Sequence, residues 1–381
     1  MKSFLKNIYL NFRKYLLRVL AILIFDKKLP NFGSGENIQR ILFIRIDRIG
    51  DLVLSIPALK ALKVAFPHSQ LVVLASPSNQ SLLLHDRYVD KVFVYDQNKR
   101  LADKMRIMKQ IRAHCFDLAI DPYPDYEVKT ALIALLSGSK WRIGYSSYGR
   151  RVFFNLNGPK LEKDKHLVDL TLDILKPLGV RSNHKKPEIF LTVDEKKWAR
   201  DWLKEKGAGM KPIIGIHPGG YYETQRWLPE RFAEVANHLK KNGSLDILIF
   251  GGPREKGLVD QITSMVNGAV MTYVGGNLRR FMALVDSCCM LICNNSGPLH
   301  VAVALDIPTI SIMGPTNKDR WMPIGDIHKV LRIDHLPCIG CNLGYCKIET
   351  HDCMNLITSS MVIEGVKNIL DSNCLSDGSL L

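Results

Sequence analysis

Short apolar runs alternate along this chain with segments whose apolar spacing is typical of helices. In the first half the predicted strands are 40–46, 71–75, 91–95 and 116–121, with predicted helices at 52–66, 101–114 and 128–136. From Pro212 onward the predicted strands are 213–217, 246–250, 271–274, 290–293 and 309–313, separated by predicted helices at 229–241, 255–266, 278–285 and 298–305. Repeated strand–helix units build parallel sheets, so we expect two α/β domains.

A polar and basic stretch at 183–187 separates the two series. We therefore expect a first α/β domain at 39–185, a second at 186–354, and a C-terminal helix and tail at 355–381. With 381 residues, 46% hydrophobic and 23% charged, the chain has room for two ordinary domains and the composition of a globular protein. That composition excludes a disordered or fibrous protein.

Residues 1–38 differ from the rest because Lys and Arg are interleaved with Leu, Ile, Phe and Tyr. The apolar run at 19–25 is too short to cross a bilayer, and no small-residue cleavage site follows it. A helix lying on an anionic membrane surface through residues 1–25 accounts for the pattern. The alternative is an ordinary helix packed on the protein by its Leu and Phe face.

The net charge of +15 predicts an anionic partner. Nucleic acid is the weakest candidate, because the basic residues are scattered and no helix-turn-helix, zinc-finger or RNA-recognition pattern is present. A phospholipid surface or a phosphorylated substrate fits better.

Ligands of parallel sheets bind beyond the carboxyl ends of the strands, so the loops there carry the predicted site. After the predicted strand at 290–293 the chain reads Asn-Asn-Ser-Gly-Pro-Leu-His. Pro298 suits the first helical position, so Ser296 or Gly297 is expected to cap a helix whose free N–H groups suit a phosphate. His300 would add a donor on the first turn. The alternative is a well-capped core helix.

Two further loops have backbone-exposing glycines beside a charged side chain. Gly219 and Gly220 precede Arg226, which could bind a diphosphate, and Glu255 follows Gly251-Gly252 and could accept from ribose hydroxyls. In the alternative, Arg226 is a surface residue and Glu255 only stabilises its helix. Neither loop matches the dinucleotide fingerprint or the Walker loop, which disfavours a nicotinamide-dependent dehydrogenase and a P-loop ATPase.

Asp51 closes the sequence Arg-Ile-Asp-Arg-Ile-Gly-Asp at 45–51. At the start of the next helix, the helix dipole should keep its pKa low and its carboxylate ionised. Such a carboxylate can take the proton of an attacking hydroxyl. The alternative is that Asp51 merely caps its own helix.

Together these motifs resemble glycosyltransferase family 9, the ADP-heptose:lipopolysaccharide heptosyltransferases. The resemblance covers about residues 40–370 and includes Arg-Ile-Gly-Asp, His-Pro-Gly-Gly, Gly-Gly-Pro-Arg-Glu, Asn-Ser-Gly-Pro-Leu-His and Met-Gly-Pro-Thr, in that order. It implies an α/β fold of GT-B architecture, with two Rossmann-like parallel-sheet domains facing across a cleft, the acceptor bound by the first and the nucleotide-sugar by the second. It also implies inverting transfer without a catalytic metal or other cofactor.

Site residues follow from the resemblance position by position. Asp51 matches the catalytic base, and Arg48 and Lys129 are assigned to the acceptor. The positions assigned to the donor are Gly219, Gly220, Gln225, Arg226, Glu255, Asn295, Ser296, Gly297 and His300. For Lys129, a solvated helix lysine is the alternative.

Two positions depart from the best-known heptosyltransferases. Gln225 stands where those have Lys, and Asn295 stands where those have Asp. Heptose from ADP-heptose, moved to a lipopolysaccharide core or related glycolipid, is the expected reaction. Another nucleotide-sugar donor is one alternative, and a non-catalytic module that binds a nucleotide-sugar or membrane surface is another. The expected location is the cytoplasm, peripheral on the inner membrane.

Four of the nine cysteines fall within sixteen residues: Cys338, Cys341, Cys346 and Cys353. His351 lies nearby in the sequence. A structural zinc ion would explain this spacing, and disulfides or free thiols are the alternatives. Disulfides are disfavoured by the expected cytoplasmic location.

Overall fold

The computed structural model describes residues 37–241 and 243–374. The predicted membrane contact at 1–25 lies outside the described residues. Contacts divide the chain between Pro187 and Glu188 into two compact units, called here the first and second units. Along the described part of the chain, no helix combines the length and apolar character needed to cross a membrane.

The first unit is a five-stranded sheet with helices. Its strands are β1 (Arg40–Arg45), β2 (Gln70–Ala75), β3 (Lys91–Val94), β4 (Leu118–Asp121) and β5 (Trp141–Gly144), and its helices are α1 (Ile49–Val53), α2 (Ile56–Ala65), α3 (Leu101–Ala113), α4 (Lys129–Leu136) and α5 (Leu167–Asp173). The strand order is β3-β2-β1-β4-β5, and every neighbouring pair is parallel. In β1, residues 41–44 are fully buried, as expected for a parallel sheet covered on both faces.

The single helix predicted at 52–66 is wrong, because the structure has two helices there. α1 ends at Val53 and α2 begins at Ile56, with Pro57 in its first turn. Pro57 has no N–H to donate and its ring would clash with the carbonyl of Val53, so one continuous helix is disfavoured. Because α1 begins at Ile49, Asp51 lies in its first turn.

The second unit has a six-stranded sheet. Its strands are β6 (Ile213–His217), β7 (Asp246–Gly251), β8 (Met271–Val274), β9 (Met290–Asn294), β10 (Thr309–Ile312) and β11 (His328–Leu331). Its helices are α6 (Val193–Glu205), α7 (Pro229–Lys240), α8 (Lys256–Met265), α9 (Leu278–Asp286), α10 (Gly297–Ala304), α11 (Lys318–Trp321), α12 (Asp352–Asn355) and α13 (Ser359–Cys374). The order is β11-β10-β9-β6-β7-β8, again with parallel pairs. The predicted class of two parallel-sheet α/β domains is confirmed.

Trp227 anchors the loop that joins β6 to α7. Its side chain is buried, and its indole Nε1 donates to the carbonyl of Ile357, 2.9 Å away. Arg231 of α7 donates to the same carbonyl and to that of Asn355. The segment before α13 therefore holds one wall of the β6–α7 loop in place.

Candidate active site

Arg45 lies at the carboxyl end of β1 and contacts two carboxylates. Its side chain is only 1% exposed, with Nη1 3.1 Å from Oδ2 of Asp47 and Nη2 4.0 Å from Oδ1 of Asp51. Its Nε also donates to the backbone carbonyl of Asp51 at 3.2 Å. One buried guanidinium therefore holds both ends of the loop that carries the predicted base.

Asp51 is fixed by its own helix as well. Its Oδ2 accepts from the backbone N–H of Arg48 at 3.3 Å, and its carbonyl accepts from the hydroxyl of Ser55 at 2.7 Å. The carboxyl side chain remains 14% exposed. Asp51 therefore caps its own helix, and its carboxyl side chain is still partly exposed.

The expectation of a low pKa for Asp51 is wrong. Burial raises the pKa of Asp51, and the charges of Arg45 and Arg48 offset this only in part. Burial also raises the pKa of Asp47 to about 8, with Arg45 lowering it and the charge of Asp51 raising it further. The loss of water around Asp47 and Asp51 therefore raises their pKa values by more than the helix N-terminus lowers them.

The loop after β1 is held by amides from two other segments. Asn79 Nδ2 donates to the carbonyls of Arg45 and Asp47, at 3.1 and 3.3 Å. Gln97 Nε2 donates to the carbonyl of Ile46 at 2.9 Å, and Oε1 of Gln97 accepts from Lys129 Nζ at 2.6 Å. The exposed Lys129 is thereby linked to the loop that carries Asp51, while Arg48 of the same loop is exposed.

A second charged pair lies at the end of β4. Arg150 and Asp121 are completely buried and form an ion pair, and Arg150 also lies 3.3 Å from Oγ1 of Thr130. Arg150 was not predicted from the sequence. Its distance from Asp121 in the chain left no local signal, although a buried strand that ends in Asp requires a cation near it.

The residues predicted to bind the donor lie in the loops after adjacent strands of the second unit. They lie between β6 and α7, between β7 and α8, and between β9 and the first turn of α10, and these strands are neighbours in the order β9-β6-β7. The carboxyl ends of parallel strands meet at one edge of a sheet. The structure therefore brings these predicted positions together.

Glu255 packs directly against Gly219. Its Oε2 accepts from the backbone N–H of Gly252 at 2.8 Å and lies 3.5 Å from Nε2 of His217. A Cβ built on Gly219 would fall 1.8 Å from Oε1 of Glu255, so a side chain at 219 would displace the carboxylate. Burial lowers the pKa of His217 by more than the charge of Glu255 raises it. The neutral imidazole is therefore favoured.

Gln225 and Arg226 point to different surroundings. Gln225 is buried, with Nε2 3.3 Å from Oγ1 of Thr316 in the loop after β10. Arg226 is half-buried, and its Nε donates to the carbonyl of Gly220 at 3.0 Å. This bond uses Nε and orients the guanidinium beside the glycine loop.

The helix predicted to begin at Pro298 begins one residue earlier, at Gly297. Ser296 is its N-cap, but the hydroxyl of Ser296 donates to the carbonyl of Asn294 at 3.3 Å and caps no helix N–H. Pro298 has no N–H, and the N–H of Leu299 donates to the carbonyl of Ser296 at 3.1 Å, so the N–H of Gly297 is the first-turn donor left for another acceptor. Proline fits equally well at the second helical position, since that N–H also has no partner inside the helix.

Asn295 and His300 both lie against α11. Nδ2 of Asn295 donates to the carbonyl of Trp321 at 3.2 Å, and the rings of His300 and Trp321 have centroids 6.2 Å apart. Both side chains are buried. The amide of Asn295 can donate to a backbone carbonyl, which the carboxylate of an Asp cannot.

Asn294, which was not predicted from the sequence, joins the end of β9 to both ends of the loop between β6 and α7. Its Nδ2 donates to the carbonyls of Pro218 and Gly219, at 2.7 and 3.2 Å, and its Oδ1 accepts from the backbone N–H of Trp227 at 3.0 Å. The side chain is fully buried. An amide that ends an otherwise apolar strand was the available signal, because a buried polar side chain needs partners.

The four clustered cysteines line one cavity, together with His351. Burial and, to a smaller extent, the neighbouring Cys341, Cys338 and Cys346 raise the pKa of Cys353 to about 11. His351 Nε2 lies 2.8 Å from the carbonyl of Thr224. Within the described ranges, no group of three or more His, Cys, Asp or Glu side chains is already arranged to hold a metal ion.

Comparison with known proteins places this geometry in context. The model of glycosyltransferase family 9 (heptosyltransferase) matches residues 104–350. Lipooligosaccharide heptosyltransferase 2 of Campylobacter jejuni is 25% identical over 334 residues, covering 86% of this chain and 97% of that protein.

Two solved structures have the same fold. The family 9 glycosyl transferase of Veillonella parvula has a TM-score of 0.79 at 22% identity, covering 89% of this chain and all of the other. The E. coli ADP-heptose lps heptosyltransferase II has a TM-score of 0.72 at 20% identity, covering 88% of this chain and 99% of that one. Both comparisons extend over the two units.

Proposed function

The chain belongs to glycosyltransferase family 9 and is a glycosyltransferase, and we propose that it moves heptose from ADP-heptose to a lipopolysaccharide core or related glycolipid. The family membership removes the alternative of a non-catalytic binding module. Support for the donor and acceptor comes from the names of the relatives, which are a lipooligosaccharide heptosyltransferase and an ADP-heptose heptosyltransferase.

The observation that carries the proposal is the position of Asp51, held beside Arg45 with its carboxyl partly exposed. In the proposed reaction Asp51 accepts the proton of an acceptor hydroxyl as its oxygen bonds to the anomeric carbon. The bond from that carbon to the diphosphate breaks, and the nucleoside diphosphate leaves with inversion at the sugar. The raised pKa makes Asp51 a stronger base than an exposed aspartate.

The leaving diphosphate requires positive charge and hydrogen-bond donors. We assign these to the backbone N–H of Gly297 at the start of α10 and to Arg226, whose Nε bond to Gly220 orients it. Glu255 is assigned to the ribose hydroxyls. No catalytic metal takes part in the proposed reaction.

Heptose is the proposed donor sugar, and two residues of the donor pocket bear on this choice. Gln225 and Asn295 make contacts inside the protein, to Thr316 and to the carbonyl of Trp321. Their internal bonds support a pocket that keeps its shape without the Lys and Asp of the best-known heptosyltransferases. Another nucleotide-sugar is the second candidate donor, since these two departures alter the charge of the pocket.

A lipid-linked acceptor is held in a membrane, so the enzyme must reach it at the membrane surface. We propose that the protein acts on the cytoplasmic face of the inner membrane, attached peripherally. The net charge of +15 supports attraction to anionic lipid.

The experiment replaces Asp51 with Asn. Without a base, turnover should fall by a factor of about 100 to 10,000, since general-base catalysis contributes that much. Affinity for the nucleotide-sugar, measured by calorimetry, should stay unchanged because the assigned donor residues lie in the second unit.

The control is Asp103→Asn, the same change in the first turn of another helix of the first unit. Its turnover should equal that of the wild type. Wild-type turnover in Asp51→Asn would refute the assignment of the base.

We also propose that Cys338, Cys341, Cys346 and Cys353 bind one structural metal ion. A cluster of thiols around one cavity suits a thiophilic ion such as zinc, whose charge would offset the repulsion that raises the pKa of Cys353.

Purified protein should contain about one metal ion per chain by elemental analysis, and Cys338→Ser/Cys341→Ser should contain none. Cys115→Ser, at an exposed cysteine elsewhere, is the control. Metal-free wild-type protein that is stable and active would contradict the proposal.

A further inference from the structure

Two neighbouring helices of the first unit, α3 and α4, expose apolar side chains. On α3, Leu101 is 74% exposed and Met105 is 63% exposed, one turn apart. On α4 the exposed apolar side chains are Leu132, Leu135 and Leu136. Single exposed apolar residues are common, but a group of five on adjacent helices marks a surface that meets something apolar.

The two helices lie side by side, so these residues form one surface. Ile111 of α3 and Ile133 of α4 pack into the same core cluster. Near the helix starts Lys129 contacts Gln97, and near the helix ends the side chain of Arg112 passes 3.4 Å from the Cβ position of Gly138. The outward faces of α3 and α4 are therefore continuous, and we call them the α3/α4 surface.

The α3/α4 surface is also strongly basic. Residues 98–114 contain six Lys or Arg against one acidic residue, Asp103, which pairs with Arg106 at 3.3 Å. The basic side chains exposed beside the apolar ones are Lys99, Arg100, Arg106, Lys109 and Arg112. Apolar side chains ringed by cations match the interface of an anionic bilayer, which offers acyl chains beneath a layer of phosphates.

We propose that the α3/α4 surface docks on an anionic phospholipid bilayer. This deepens the proposed function, because a docked surface would hold the enzyme where a lipid-linked acceptor is found. The N-terminal ends of both helices border the candidate acceptor loop, since Gln97 joins Lys129 to the carbonyl of Ile46. A bilayer at this surface therefore lies beside the loop that carries Asp51.

The first test measures binding of the full chain to vesicles by flotation. Wild-type protein should bind phosphatidylethanolamine vesicles that contain phosphatidylglycerol, and should bind pure phosphatidylcholine vesicles at least tenfold more weakly. Leu101→Glu/Met105→Glu should weaken binding to the anionic vesicles by about tenfold or more, since it buries less apolar surface and adds negative charge.

Matched controls make the same change at exposed apolar residues elsewhere. Val64→Glu on α2 and Met210→Glu in the second unit should bind like the wild type, since both side chains are exposed and outside the surface. Wild-type binding by the double variant would overturn the proposal. This readout needs no turnover, so it is independent of the proposed reaction.

The second test separates this surface from any other part of the chain that touches lipid. In Met105→Trp, brominated lipids in the vesicles should quench the fluorescence of the added tryptophan, and in Val64→Trp they should not. Equal quenching in the two variants would overturn the proposal. So would a wild-type dimer without lipid that Leu101→Glu/Met105→Glu converts to monomer, because a second copy of the chain would then be the occupant.

Discussion

At the scale of single residues, the arrangement of Arg45, Asp47 and Asp51 decides how basic the site is. Two carboxylates flank one buried guanidinium, so its single positive charge cannot fully offset both negative charges. The charge of Asp51 therefore raises the pKa of Asp47, in addition to the effect of burial. With a pKa of about 8, Asp47 is mostly protonated at neutral pH, and its charge enters the site only in the basic range.

Asp47→Asn should remove a titration near pH 8 from the pH dependence of turnover. Asp47 is protonated below that pH and ionises above it, so its negative charge is present in the site only in the basic range. Because Asn stays neutral at every pH, the kcat/KM profile of the variant should keep the acidic limb of the wild type and lack the inflection near pH 8. The measurement is kcat/KM from pH 5 to pH 9.

Asp96→Asn in the same unit serves as the control and should keep the inflection near pH 8. An inflection near pH 8 that persists in Asp47→Asn would show that Asp47 is not the group that titrates there.

The sequence identified Asp51 but not its electrostatic state. Its place at the start of a helix was expected, although that helix begins at Ile49 rather than at Leu52, and the helix dipole predicted a low pKa. The burial of Asp51 beside Asp47 has the opposite effect and raises the pKa. This burial depends on the loop conformation that Asn79 and Gln97 hold by hydrogen bonds to the loop backbone. The hydrogen bonds of Asn79 and Gln97 join segments about 30 to 50 residues apart in the chain. No local sequence pattern predicts them.

At the scale of elements, the close contact between the β6 and β7 loops depends on a glycine. Gly219→Ala would place a Cβ 1.8 Å from Oε1 of Glu255, so the carboxylate must move away from Gly252 and His217. We expect nucleotide-sugar affinity to fall by about tenfold or more, because the assigned ribose contact is lost. Calorimetric titration with the donor measures this directly.

Gly257→Ala is the matched control, two residues beyond Glu255 in α8. A Cβ at 257 meets no atom within 4 Å. Its affinity should be unchanged, and its stability should rise by roughly 0.5–1 kcal/mol because alanine favours a helix. An unaltered affinity in Gly219→Ala would instead mean that Glu255 takes no part in donor binding.

Elements with a strong apolar signal were predicted within about one or two residues. The second-unit strands β6 to β10 were found because each is a short apolar run followed by Gly, Asn or Pro. The outer strands β5 and β11 were missed, since both lie at sheet edges and are partly exposed, which removes the continuous apolar run. Helix α6 was missed too, although Thr192 and Glu195 form a capping box at its start.

At the scale of the whole molecule, the proposed roles are divided between the two units. The predicted base and acceptor residues lie before Pro187, and all predicted donor residues lie after Glu188. A ligand that binds only the folded form of one unit stabilises that unit by an amount that grows with the logarithm of the ligand concentration. Nucleotide binding and base catalysis should therefore be separable by measurement in the intact chain.

This division gives a direct test of the donor nucleotide by thermal unfolding. ADP-heptose at one hundred times its dissociation constant should stabilise the second unit by about 2.7 kcal/mol, which for a unit of this size is a rise of roughly 5–10 °C in Tm. Asp51→Asn should show the same rise, and Gly219→Ala a smaller one, because only the latter disturbs the assigned donor loops. GDP- and UDP-sugars at the same concentration should give little change. A larger rise in Tm with a GDP- or UDP-sugar would show that this sugar nucleotide, and not ADP-heptose, is the donor. It would also indicate that the pocket around Gln225 and Asn295 is where this chain differs from its relatives.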